Sequence, residues 1–266
     1  MNSLLTALIA KRIVATVSAL LVVAIGCGAG IWQLGRAETK ITLAANLQAR
    51  QQMPILNANA GPWTLEEASE RRMIARGQYI PEAAIWLDNR PRPIPPAGTA
   101  NAQSGFFLMM PLRLEGKDDV LWVNRGWAAR NNENRETLPP VKTPNKTVNI
   151  EGIVFAHPGK VYELGSGKNS ADIGKPRIEQ NFDLATEGKL RAWNQLPFIL
   201  REVEAGGEDG LLRDWAPLTS GVDRHYAYAF QWFALAGAGF LFWLLSGLRQ
   251  YKAQGKGQRF MNRDQE

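Results

Sequence analysis

The architecture turns on residues Asp223–Arg249, which read DRHYAYAFQWFALAGAGFLFWLLSGLR. From Tyr226 to Leu248 there are 23 consecutive residues without a charge, bracketed by Arg224 and Arg249. A helix rising about 1.5 Å per residue crosses a hydrocarbon layer of about 30 Å in about 20 residues, so this run is long enough to span with some tilt. His225, one of two histidines in the chain, stands where such a helix would enter the membrane.

A second uncharged run, Ile13–Gly35 (IVATVSALLVVAIGCGAGIWQLG), follows Lys11 and Arg12. The net charge of +6 belongs to the ends of the chain: Lys11 and Arg12 supply +2, and the tail after Leu248 supplies +3. The remaining +1 leaves no basic face for nucleic acid on the large middle segment. Short basic flanks beside spanning helices stay on the cytoplasmic side, which predicts both termini cytoplasmic and the middle exported across a plasma (inner) membrane. A single cysteine, Cys27, excludes a disulfide framework or a cysteine metal site within one chain. A cleaved signal peptide and a lipoprotein signal ending at Cys27 compete with a retained anchor for the first run. Its continuation past Cys27 to Trp32 and Leu34 suits a span better than a shorter signal core, and the expectation is an anchor.

The pattern predicts a membrane protein with two transmembrane α-helices flanking an exported α+β, mostly antiparallel β, domain. Its parts are a cytoplasmic N-terminus at 1–12, a first span at 13–35, the exported domain at 36–224, a second span at 225–248 and a basic tail at 249–266. Gly26 with Gly30 and Ala24 with Gly28 in the first helix, and Ala234 with Ala238 in the second, offer small faces for helix packing. They would equally permit self-association into a homo-oligomer. Arg36–Gln52 continues the first helix, and Thr64 with Glu67 forms a capping box. Strands are predicted at Met73–Ile80, Ala83–Leu87, Gly105–Leu114, Val120–Trp127, Thr147–Phe155 and Pro197–Val203, where aromatic and β-branched residues lie between turn formers. Asn89–Gly98, with four prolines, reads as an extended loop. Phe182–Trp193 reads as a short helix with Asp183 near its start.

No nucleophile elbow, zinc-protease helix, P-loop or dinucleotide fingerprint is present, so an exported hydrolase has no motif behind it. His157, in Ala-His-Pro-Gly, reads as a turn histidine. A neutral imidazole at His225 can ligate a metal, and Asp223 is a plausible cap beside it. Tyr226, Tyr228, Phe230, Trp232 and Phe233 are flat side chains suited to a macrocycle, or equally to an ordinary interfacial aromatic belt. Ile31–Arg36 closes the first helix as an interface anchor or a contact surface. In Val123–Trp127, Gly126 reads as a turn former, and Arg125 as either a salt-bridge partner or a ligand for a carboxylate.

Three of these pieces together resemble the surfeit locus protein 1 family, assembly factors for haem–copper terminal oxidases. They are Gly30–Arg36 (GIWQLGR) with Lys40, Val123–Trp127 (VNRGW) and His225–Phe233 (HYAYAFQWF), in that order along the chain. The resemblance implies an assembly factor that binds haem a and aids its insertion into oxidase subunit I, with no bond made or broken. Expected partners are that subunit, other assembly or haem a synthesis proteins, and the lipid bilayer. His225 carries over as the axial haem ligand, with Tyr228 and Trp232 beside the macrocycle. Arg125 and Arg36 are candidates for pairing with propionates. The alternative is a scaffold that stabilises an oxidase assembly intermediate without haem, with His225 a belt residue.

Overall fold

The computed structural model describes residues 12–94, 103–131, 134, 137–162, 173–203, 208–215 and 221–261, with residues 254–261 described by backbone alone. Lys11, the end of the proline-rich loop, residues 163–172 and the last tail residues lie outside that set. The chain forms two compact units: Met1–Ala44 with Leu218–Glu266, and Ala45–Pro217.

The first unit is built on two helices. The first, α1 (Ile13–Gln51), runs through both the apolar segment and its polar continuation, as expected, and reaches into the second unit. At 39 residues it is about 58 Å long. Its partner α4 (Val222–Met261) contains the second apolar run. Both are long and apolar enough to cross a membrane. Only 17% and 11% of their most apolar windows are buried within the protein, the reverse of a core helix.

Ala45–Pro217 is β-rich. Its strands are β1 (Leu56–Asn57), β2 (Arg72–Tyr79), β3 (Ile85–Pro91), β4 (Ser104–Leu114), β5 (Val120–Ala129), β6 (Val148–Phe155), β7 (Arg177–Glu179) and β8 (Gln195–Glu202). They hydrogen-bond in the order β1-β2-β6-β8-β5-β4-β3-β7, and β2 also pairs with β4. That extra pairing closes β2, β6, β8, β5 and β4 into a five-stranded ring, antiparallel except between β5 and β8. The ring closes at Gly77, where β2 leaves β6 for β4. A Cβ there would collide with the Arg113 carbonyl oxygen, so glycine is required by the close approach.

Alternation decides what fills the ring. In β2, Met73, Ala75 and Tyr79 point inward, joining Phe106, Leu108, Met110 and Leu112 of β4 and Phe198 and Leu200 of β8. The opposite face carries Ile85, Leu87, Met109, Trp122 and Ile199, which pack with Phe182 and Leu184. Leu184 opens α3 (Leu184–Arg191), whose N-cap is Asp183, accepting from the Thr186 N–H.

The predicted strand at 83–87 begins and ends later. Pro81 starts a 3-10 turn through Ala83, and Asp88-Asn89 forms a bulge within β3, with Asn89 at positive φ. The strand therefore runs on to Pro91, and the loop expected from Asn89 starts after it. Gly126 likewise lies within β5, at φ 142°. The Leu211–Arg213 segment crosses there, and a Cβ would lie 2.8 Å from the Leu212 carbonyl oxygen. Its glycine allows this crossing rather than a turn. The capping box at Thr64 is present on the four-residue α2 (Leu65–Ala68). Thr64→Ala should lower stability by about 0.5–2 kcal/mol, towards the lower end for so short a helix. The denaturant midpoint measures it, and no shift would mean the cap is idle.

Candidate functional site

The two helices of the first unit pack antiparallel. The seam on α1 repeats at alternating steps of three and four residues: Thr16, Ala19, Val23, Gly26, Gly30, Gln33 and Ala37. On α4 the matching set is Val222, His225, Ala229, Trp232, Ala236, Gly239 and Trp243. This 3.5-residue spacing is that of knobs-into-holes pairing. At its centre a Cβ on Gly26 would lie 2.9 Å from Ala236 Cβ and 3.0 Å from the Trp232 carbonyl oxygen. One on Gly30 would lie 2.6 Å from the Phe233 ring. The helices thus pair through small residues, as expected, and Gly26 and Gly30 are on the seam. Gly28, Ala234 and Ala238 are not: they are exposed, and Ala229 and Ala236 take the place expected of Ala234 and Ala238.

Polar side chains clasp the pair at both ends. At one, Arg12 donates to the Trp243 carbonyl and the Ser246 hydroxyl, and the Trp243 indole N–H donates to Thr16. At the other, His225 Nδ1 lies 2.7 Å from Gln33 Oε1. His225 is half-buried on the first turn of α4, and its Nε2 makes no hydrogen bond among the described residues. Tyr228, one turn on, is 49% exposed, and Trp232 is half-buried on the seam. Arg36 is exposed on α1, three residues beyond Gln33. These are the expected site residues that the fold gathers on one helix pair. Gln33 joins them without having been singled out in the sequence.

Among the described residues no cluster of three or more His, Cys, Asp or Glu side chains is placed to hold a metal ion. Among the described residues His225 Nε2 makes no hydrogen bond, and a single imidazole is a donor set that suits a haem iron, which needs only one such side chain from the protein.

Arg125 belongs to the sheet domain. It is 2% exposed, and its guanidinium donates to Asp209 at 3.1 Å, to the Thr143 hydroxyl at 2.8 Å and to the Lys142 carbonyl. It also stacks 4.6 Å from the centre of the Tyr79 ring. Of the two roles open for it in the sequence, these contacts are those of a buried ion-pair partner. Arg213 completes the group, 2.5 Å from Asp209 and 3.3 Å from Glu202. Burial pushes the Asp209 carboxyl up, but hydrogen bonds from Arg213 and the Leu211 N–H, with the charges of Arg213 and Arg125, leave it below its ordinary value. Glu202 goes the other way, because its burial outweighs the attraction of Arg213 and Arg125. His157 accepts from the Gly159 N–H through Nδ1, as befits a turn residue.

The protein is thus a β-rich domain carried between two long apolar helices whose clasp holds a histidine. Residues 20–237 match the SURF1 family model, and the chain belongs to that family, which is linked to cytochrome oxidase assembly. Comparison with curated proteins gives no match.

Proposed function

We propose that the chain is a membrane-anchored assembly factor that holds haem a as cargo through His225 and helps deliver it to subunit I of a haem–copper oxidase. The observation that carries this reading is the pairing of His225 Nδ1 with Gln33, with no hydrogen bond at Nε2 among the described residues. Trp232 and Tyr228, further along the same helix, offer flat surfaces for a macrocycle. Arg36, exposed one turn from Gln33, offers a cation for a propionate. Arg125 is already neutralised by Asp209 and is not asked to do so. The helices span a plasma (inner) membrane, with Arg12 and Arg249 at the cytoplasmic ends and the sheet domain on the far side. Cargo is held and passed on, without bond chemistry.

The test is the absorption spectrum of detergent-purified protein from cells that synthesise haem a, beside His225→Ala. A haem a band in the wild type that is lost in the variant is the expected result. No band in either protein would instead favour a scaffold that supports the assembling oxidase without haem.

A further inference from the structure

We propose that Gln33 is a positioning residue that holds His225 in a single tautomer, with the proton on Nδ1 and the lone pair on Nε2. The contact spans 2.7 Å between side chains 192 residues apart, from the two helices. An amide oxygen has lone pairs and no hydrogen, so the Nδ1 facing Gln33 Oε1 must be the donor. A neutral imidazole has only one ring proton, and once it is committed to Nδ1 the other nitrogen is left to accept or to ligate. Nε2, accordingly, has no hydrogen bond among the described residues.

Gln33 is well placed to impose this. It occupies a seam position between Gly30, against which the Phe233 ring packs, and the fully buried Ala37. A polar side chain at membrane depth needs a partner, and here that partner is the imidazole. A plain interhelical hydrogen bond would stabilise the pair whichever nitrogen it used. A positioning bond has a direction, and the direction is what can be measured. As a statement about a haem ligand, the inference rests on the function proposed above. As a statement about the tautomer it does not.

The first measurement is the 15N spectrum of the full-length, haem-free protein in detergent, labelled at histidine. His225→Ala assigns the signals and separates them from those of His157. The expected spectrum is the Nδ1-protonated tautomer of His225, which becomes a tautomer mixture in Gln33→Leu, while in Gln33→Glu, where an oxygen acceptor returns, the proton again stays on Nδ1. Protonation at Nε2 in the wild type, or no change in Gln33→Leu, overturns the inference.

The second measurement is haem a affinity. Loss of an orienting partner typically weakens metal binding by about 10- to 100-fold, and that loss is expected for Gln33→Leu with recovery in Gln33→Glu. A disulfide between Val22→Cys and Gly239→Cys, in a Cys27→Ser background, should still form in Gln33→Leu, showing that the helices remain paired. Affinity unchanged in Gln33→Leu, with His225→Ala still losing the band, overturns the positioning role alone. A haem band that survives in His225→Ala removes the haem reading, and the 15N spectrum then decides the tautomer by itself.

Discussion

Asp209→Ala is expected to destabilise the sheet domain by about 3–5 kcal/mol, the usual consequence of taking one member from a buried ion pair. Asp209 is the carboxylate shared by Arg125 and Arg213, both of whose side chains are only 3% exposed. Without it Arg125 keeps only uncharged partners, Thr143 and the Lys142 carbonyl, and Arg213 keeps Glu202 at 3.3 Å. For a unit of this size each kcal/mol shifts Tm by about 2–4 °C, so a fall of roughly 10 °C is expected in a thermal melt followed by tryptophan fluorescence. A shift of under 2 °C would show that the network contributes little. The same group sets an acid response. Asp209 titrates below its ordinary value, so its contribution is full above that value and is lost as pH falls through the lowered one. Glu202 titrates above its ordinary value, so it weakens the fold when ionised and this weakening is relieved as pH falls. Wild-type stability should therefore hold through mildly acidic pH and drop only at strongly acid pH. Asp209→Ala should show a smaller drop there.

Gly26→Leu should separate the helix pair. The new side chain would meet a backbone oxygen, that of Trp232, as well as Ala236, and a backbone atom cannot turn aside as a rotamer can. Overpacking of this kind costs about 1–3 kcal/mol, or roughly 5- to 150-fold in the closed pair. The reporter is the Val22→Cys, Gly239→Cys disulfide without Cys27. A Cβ built on Gly239 lies 3.7 Å from Val22 Cβ, within the separation a disulfide needs. Crosslinking should be efficient in that background and nearly absent once Gly26→Leu is added. Gly28→Leu should leave it intact, because nothing lies within 4 Å of a Cβ at Gly28. Equal loss in both variants would place the seam elsewhere.

The same residues show how far the fold could be read in advance. The two apolar helices and six of the strands were legible, because uncharged length and runs of aromatic and β-branched residues between turn formers are local properties. β1 and β7 were not: at two and three residues they have no pattern of their own and exist as strands only by pairing with β2 and β3. Asp88-Asn89 looks like a stop, but the backbone absorbs it as a bulge because β4 continues to offer partners. Closure of the ring at Gly77 is a long-range event with no local mark.

For the candidate site, His225 stood out through its place at the edge of an uncharged run. Gln33 did not, since its significance lies in a partner far along the chain. A signal was nonetheless present: His225, Ala229, Trp232, Ala236 and Gly239 keep the 3-4 rhythm of a paired helix, whereas Ala234 and Ala238 are four apart and off that rhythm. Arg125 illustrates the opposite case. Its motif leaves a salt bridge and a carboxylate ligand both open, and Asp209, 84 residues away, decides between them once the sheet has formed.

The wide separation of Gln33 and His225 also imposes an order in time. A ribosome adding about 5–20 residues per second needs about 10–40 s to travel the 192 positions between them. Throughout that interval α1 waits without α4, its glycines uncovered and its glutamine unanswered, while every strand of the sheet domain is made. The imidazole arrives only after all of them. A chain arrested anywhere before β8 ends therefore carries α1 and part of the sheet domain but not His225, and the clasp with Gln33 closes only after the whole sheet has been made.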